Sequence, residues 1–169
     1  MKYIKRFINK YKYELTIGIV LALILSKVVT SYFFYVAIVP SASMEDTLMI
    51  GDRLLISKNI QELKVGEIYT FYHDDKLLIK RLIAKGGDHV KIDNNDVYVN
   101  GQKLDEPYVS SSMSIEIHVD LTVPEGKYYF LGDNRNDSND ARFWNEPFVD
   151  RGSIDGRAVK IFSFNTGRK

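Results

Sequence analysis

Residues 39–48 read Val39-Pro40-Ser41-Ala42-Ser43-Met44-Glu45-Asp46-Thr47-Leu48. The chain changes character in this short stretch. An apolar run over residues 15–39, LTIGIVLALILSKVVTSYFFYVAIV, leads into it, and Gly51-Asp52-Arg53-Leu54-Leu55-Ile56 opens a β-patterned remainder. About 20 apolar residues are enough for a helix to cross the hydrocarbon core of a bilayer. The run has no proline before Pro40, and its one charge is Lys27. At the bilayer centre that charge would cost roughly 2.5–3.5 kcal/mol, less where the side chain snorkels to a surface. Tyr32, Phe33, Phe34 and Tyr35 suit a membrane interface, and Lys2, Lys5, Arg6, Lys10 and Lys12 outnumber Glu14 ahead of the run, the bias of a cytoplasmic flank. A cleavable signal peptide would need a small-x-small site soon after Leu25, and none is clear. A buried core helix would not need the basic flank. The expectation is a cytoplasmic basic tail (1–14), a single uncleaved transmembrane helix (15–38) and an extracytoplasmic β domain (39–169).

Composition narrows the class. The chain has 169 residues, room for one domain of about 130 residues beyond a membrane segment. It has no cysteine, which excludes disulfides and thiolate metal sites. A net charge of +1 gives no field that would draw nucleic acid. No His/Asp/Glu group has metal-ligand spacing, so no metal and no cofactor are expected.

Working outward from Leu48, the pattern is that of short strands. Arg53–Ser57, the aromatic Ile68–Tyr72, Lys76–Ala84, Val90–Ile92, Val97–Val99 and Lys127–Leu131 are predicted strands, rich in β-branched and aromatic residues. Asp74-Asp75, Gly86-Gly87-Asp88, the 93–96 stretch and Asn100-Gly101 are turn signals. Residues 105–126 are less regular, with weak alternation over 115–119. Residues 143–152 read as loop, and Ala158–Phe164 as a closing strand. The fold class is mostly β, one domain behind one helix.

Ser43 sits where the membrane would end. A serine is a weak nucleophile unless a base takes its proton, and His73, His89 and His118 are scattered in no triad pattern. Lys80, inside Leu77-Leu78-Ile79-Lys80-Arg81-Leu82-Ile83-Ala84, is a candidate base, because burial among apolar neighbours disfavours its charged form. Each residue also has a plainer reading. Ser43 through Asp46 imitates a helix capping box, and most lysines lie on the surface.

Three segments in order, Ser41–Leu48, Lys80–Asp88 and Gly132-Asp133-Asn134-Arg135-Asn136-Asp137-Ser138-Asn139-Asp140-Ala141-Arg142, resemble type I signal peptidases, the membrane-bound Ser/Lys proteases. The resemblance covers about residues 10–162. It implies a signal-peptidase-type β domain with a small β insertion, here about 91–124, in a short Gram-positive-like form. It implies a serine endopeptidase that removes N-terminal signal peptides from secreted preproteins after small-x-small sites. Ser43 matches the nucleophile and Lys80 the general base. Ser41 matches an oxyanion donor, and Ser138 a serine that orients the lysine. Asp140, Arg142 and Arg81 match charged residues that buttress the site. Met44, Ile83 and Ala84, with Ile50 and Leu54, are apolar candidates for the substrate pocket. The expected partners are membrane lipid and signal-peptide-bearing preproteins or pilin precursors, with no nucleic acid.

Within these segments the chain departs from the family pattern three times. Asp46 and Gly86 stand where proline is usual, and Asn136-Asp137 reverses the commoner order. One branch of the family is associated with pilus assembly, and some of its members have lost the dyad. The alternative to a peptidase is therefore a chaperone-like factor for pilus subunits. Retention of Ser43 and Lys80 favours the enzyme.

Overall fold

Within the apolar run, helix and strand divide at Phe33. A computed structural model of the chain describes residues 3, 10–45, 47–94, 96–111 and 114–163. Asp46, most of the basic tail and the last residue of the expected closing strand, Phe164, lie outside the described residues. Helix α1 spans Lys12–Phe33. Its two threonines turn back onto the helix: Thr16 Oγ1 donates to the Lys12 carbonyl and Thr30 Oγ1 to that of Ser26, both at 2.7 Å. That bonding pattern suits polar groups in apolar surroundings. None of its residues is buried, so the protein does not cover its apolar surface.

The expectation of helix through residue 38 is corrected. Strand β1, Phe34–Ile38, follows α1 directly and pairs antiparallel with β2, Arg53–Ser57, from Phe34↔Ser57 to Ile38↔Arg53. The segment FYVAI favours a pleated, half-buried surface, and here a partner strand is available to it. The remaining strands are β3 (Ile68–His73), β4 (Lys76–Lys85), β5 (His89–Asp93), β6 (Asp96–Val99), β7 (Gln102–Lys103), β8 (His118–Thr122), β9 (Lys127–Leu131), β10 (Val149–Asp150) and β11 (Ile154–Phe162). Thus β8 is displaced by three residues from the weak alternation and overlaps it at 118 and 119, β10 sits in a stretch that reads as loop, and β11 begins four residues before the expected closing strand.

Two antiparallel sheets result, ordered β1-β2-β11-β3-β4-β9-β10 and β7-β6-β5-β8. The protein is mostly β, with one N-terminal apolar helix. The β3–β4 hairpin closes through Asp74 and Asp75, both at positive φ, as a two-residue turn whose twist matches its strands requires. The second sheet covers the region expected as the insertion.

Three core clusters organise the sheets. One gathers Val39, Met44, Leu48, Leu54, Ile56, Ile68 and Ile79. It anchors the 39–48 stretch at three points, and the polar residues between those anchors are positioned by them. A second packs Tyr69, Phe71, Leu82 and Phe130 between β3, β4 and β9. The third, with Ile83, Ala84, Val90, Ile92, Tyr129 and Leu131, joins the main sheet to the second.

Candidate active site

Ser43 lies in a one-turn 3-10 helix, Ala42–Met44. The turn is tied down on both sides. Val39 N–H donates to the Asp52 carbonyl and Gly51 N–H to that of Val39, both at 2.9 Å. Asn134 reaches it from the far end of the chain, its Nδ2 donating to the Ala42 carbonyl at 3.1 Å and its N–H to that of Ser43 at 3.2 Å. The two hydroxyls of the stretch, Ser41 Oγ and Ser43 Oγ, are 3.3 Å apart.

The turn packs against β4, the strand that carries Lys80. Lys80 is only 3 % exposed. Burial lowers its ammonium from 10.5 to about 8, against the pull of Asp140 and Asp133, with Arg142 acting in the same direction as burial. Among the described residues Lys80 forms no ion pair, so desolvation prevails.

The ladder between β4 and β9 brings the two segments together. Arg81 pairs with Leu131, the last residue of β9, and Gly132 follows directly. Gly132 leaves a gap: a Cβ there would stand 2.2 Å from Ser138 Oγ and 2.5 Å from the Ser43 carbonyl oxygen. Ser138 and the backbone of the serine turn therefore close on the space that a missing side chain provides, next to the strand that carries Lys80.

Ser138 Oγ donates to Asp140 Oδ2 at 2.7 Å, which leaves its lone pairs as acceptors. Asp140 is fully buried and also accepts from Gly132 N–H at 3.0 Å, and from Arg142 Nε at 2.7 Å and Nη2 at 2.9 Å. A buried ion pair is tolerable when its remaining bonds are made, and here they are. Arg81 holds a second carboxylate, Asp133, through Nε at 2.8 Å and Nη2 at 2.5 Å. Asp133 accepts a third bond, from Thr47 Oγ1 at 2.5 Å. Met44, Ile83 and Ala84 are closed to solvent and underlie the site as core residues, whereas Ile50 is exposed and Leu54 buried. Among the described residues no cluster of His, Asp or Glu could hold a metal ion.

Three site residues have little sequence signal of their own. Thr47, Asp133 and Asn134 belong to the quoted segments, but only the fold ties them to the serine turn. The glycine before Asp133 was the one local hint, since a glycine that ends an apolar strand often marks a close approach.

Residues 12–163 match the family described as signal peptidase, peptidase S26. A probable signal peptidase I-2 of Synechocystis sp. is 38% identical over 160 residues, covering 88% of this chain and 72% of that protein. The signal peptidase I of Bacillus licheniformis is 34% identical over 172 residues, covering 93% and 92%. A crystal structure of a signal peptidase I from Enterococcus faecalis V583 superposes with a TM-score of 0.52 and 29% identity, over 60% of this chain and all of that one.

Proposed function

Since the chain belongs to the signal peptidase family, peptidase S26, and is a type I signal peptidase acting on secreted preproteins, we propose that it cleaves them with Ser43 as nucleophile and Lys80 as general base. The neutral Lys80 amine takes the Ser43 hydroxyl proton as Oγ attacks the carbonyl carbon before the cut. The Ser41 hydroxyl and the Ser43 N–H donate to the oxygen that becomes negative, preorganised groups of the kind that stabilise such an oxyanion. The Lys80 proton goes to the leaving amine, and the mature protein departs. Water, deprotonated by Lys80, then opens the acyl-enzyme and frees the signal peptide. Ser138 and Asp140 orient the amine, Arg142 holds Asp140, and Arg81 holds Asp133 beneath the serine turn.

The observation that carries this reading is the buried Lys80, which forms no ion pair among the described residues, on the strand against which the Ser43 turn packs. An ordinary surface lysine would be almost wholly protonated at pH 7. With an ammonium near 8, roughly a tenth of Lys80 is free base at pH 7.

We place α1 across the membrane with its N-terminus in the cytoplasm and the β domain outside, the second sheet being the insertion. The support is the helix itself: its 22 residues rise about 33 Å, and none is buried. Cleavage is expected after small-x-small sites.

Mass spectrometry of a secretory precursor incubated with the detergent-solubilised chain tests the mechanism. Wild type is expected to release a product cut after a small-x-small site, and Ser43→Ala and Lys80→Ala to release none. Product from either variant would end the dyad reading. A pilin precursor in the same assay measures client range. If it were bound but left uncut, and the secretory precursor were also spared, the pilus-assembly alternative would replace the peptidase mechanism.

A further inference from the structure

One turn of the second sheet reaches the supports of the site. Between β7 and β8 the chain carries Glu106-Pro107-Tyr108. The Tyr108 ring lies on the guanidinium of Arg81, 3.8 Å from its central carbon. Tyr108 Oη donates to Glu106 Oε1 at 2.9 Å. Glu106 in turn receives a fork from Arg135, Nη1 to Oε2 at 3.0 Å and Nη2 to Oε1 at 2.5 Å. Arg135 Nε closes the circuit by donating to the Gly132 carbonyl at 3.0 Å. The side chains of Arg135 and Glu106 are 1% and 10% exposed. Burial, then the Glu106 carboxylate beside it, pushes the Tyr108 phenol up, so it remains a donor.

These contacts straddle the candidate site. Arg81 follows Lys80 in sequence, and Arg135 ends the turn that begins at Gly132. Arg81's remaining bonds run to Asp133 and to the Gly66 carbonyl. Asp133 holds Thr47 on the serine loop, and its charge acts on Lys80 together with those of Asp140, Asp137 and Arg142. An aromatic face on a guanidinium attracts it and takes water from it. A less hydrated guanidinium grips its carboxylate more firmly.

We propose that Tyr108 is a positioning residue for cleavage: its ring, braced by Glu106, holds Arg81 on Asp133 and so fixes the supports beneath Ser43 and Lys80. Removing the ring lets water reach Arg81 and loosens its grip on Asp133. More of the Asp133 charge is then felt by Lys80. This rests on the Ser43/Lys80 reading above. It gives the second sheet a part in the reaction rather than in folding alone.

The test is kcat/KM against pH, from 6 to 10, for the full chain in detergent on a secretory precursor. Tyr108→Leu and Tyr108→Met remove the ring, Tyr108→Phe keeps it, and the melting temperature of each is recorded. The ring-less variants are expected to lose about tenfold in kcat/KM at pH 7 and to move the acid limb to higher pH. Tyr108→Phe is expected to recover most of that loss and return the limb. A limb at the wild-type position in both ring-less variants overturns the proposal, whatever their melting temperatures, because Tyr108 would then serve folding only. Ser43→Ala and Lys80→Ala run alongside. If both are inactive and the limb is unmoved, this proposal alone fails. If either still cleaves, the dyad reading fails and takes this proposal with it.

Discussion

At the scale of single residues, the argument turns on a lysine kept from water. With Lys80 lowered to about 8, kcat/KM should climb through an acid limb near that value and level off above it. A flat profile between about 6 and 9 would rule out a lysine base. The same burial has a thermodynamic sign. The folded value lies below the unfolded one, 10.5. The unfolded chain therefore binds the extra proton between the two, and stability rises with pH across that window. Below pH 8 the buried ammonium costs about 3 kcal/mol. Lys80→Met should thus be inactive yet more stable than wild type at pH 7, by up to that amount, with the gain shrinking toward pH 10.5. Urea midpoints at pH 7 and pH 10 measure it. An equal gain at both would mean that the lysine is not held in a desolvated state.

At the scale of elements, a glycine decides how closely β9 and the serine turn approach. In Gly132→Ala the new methyl would meet the Ser138 hydroxyl, which can rotate away, and Ser138 Cβ at 2.6 Å and the Ser43 carbonyl at 2.5 Å, which side-chain rotation cannot move. A shift of about 1 Å at a reacting group costs on the order of 100-fold. The expected result is a kcat lowered by about that factor, and a Gly132→Ala enzyme with wild-type kcat would show that the gap is not tight. Sequence pattern served some elements better than others. β3, β4 and β9 stood out because β-branched and aromatic runs ended in clear turn residues. β1 was hidden, since Phe34–Ile38 is apolar whether read as helix or strand, and only its pairing with β2 separates them. β10, two residues long, has no pattern to detect. Within the candidate site, the segments single out Ser43 and Lys80 as the expected nucleophile and base. Asn134 read as one more solvated loop amide, because its partner Ala42 lies 92 positions away and leaves no local trace.

At the scale of the whole molecule, α1 runs straight into β1, and Lys58 N–H donates to the carbonyl of its last residue, Phe33, at 2.8 Å. Because α1 buries no residue against the β domain, deleting residues 1–32 should leave the melting temperature within a few degrees of the full chain. The truncated protein should still cut a short soluble peptide while losing efficiency on precursors in vesicles. Collapse of the fold on truncation would mean that the helix contributes to the core. No loop separates Phe33, the last residue of α1, from Phe34, the first of β1, and β1 is zipped to β2 along its length. Five residues of strand advance at most about 17 Å. If α1 is held in a bilayer, Ser43 hangs at a set height above it, and the enzyme becomes a gauge. The bond that is cut is the one the substrate's own apolar segment lifts to that mark, so lengthening the join between Phe33 and Phe34 would move the mark and shift the cut along the precursor.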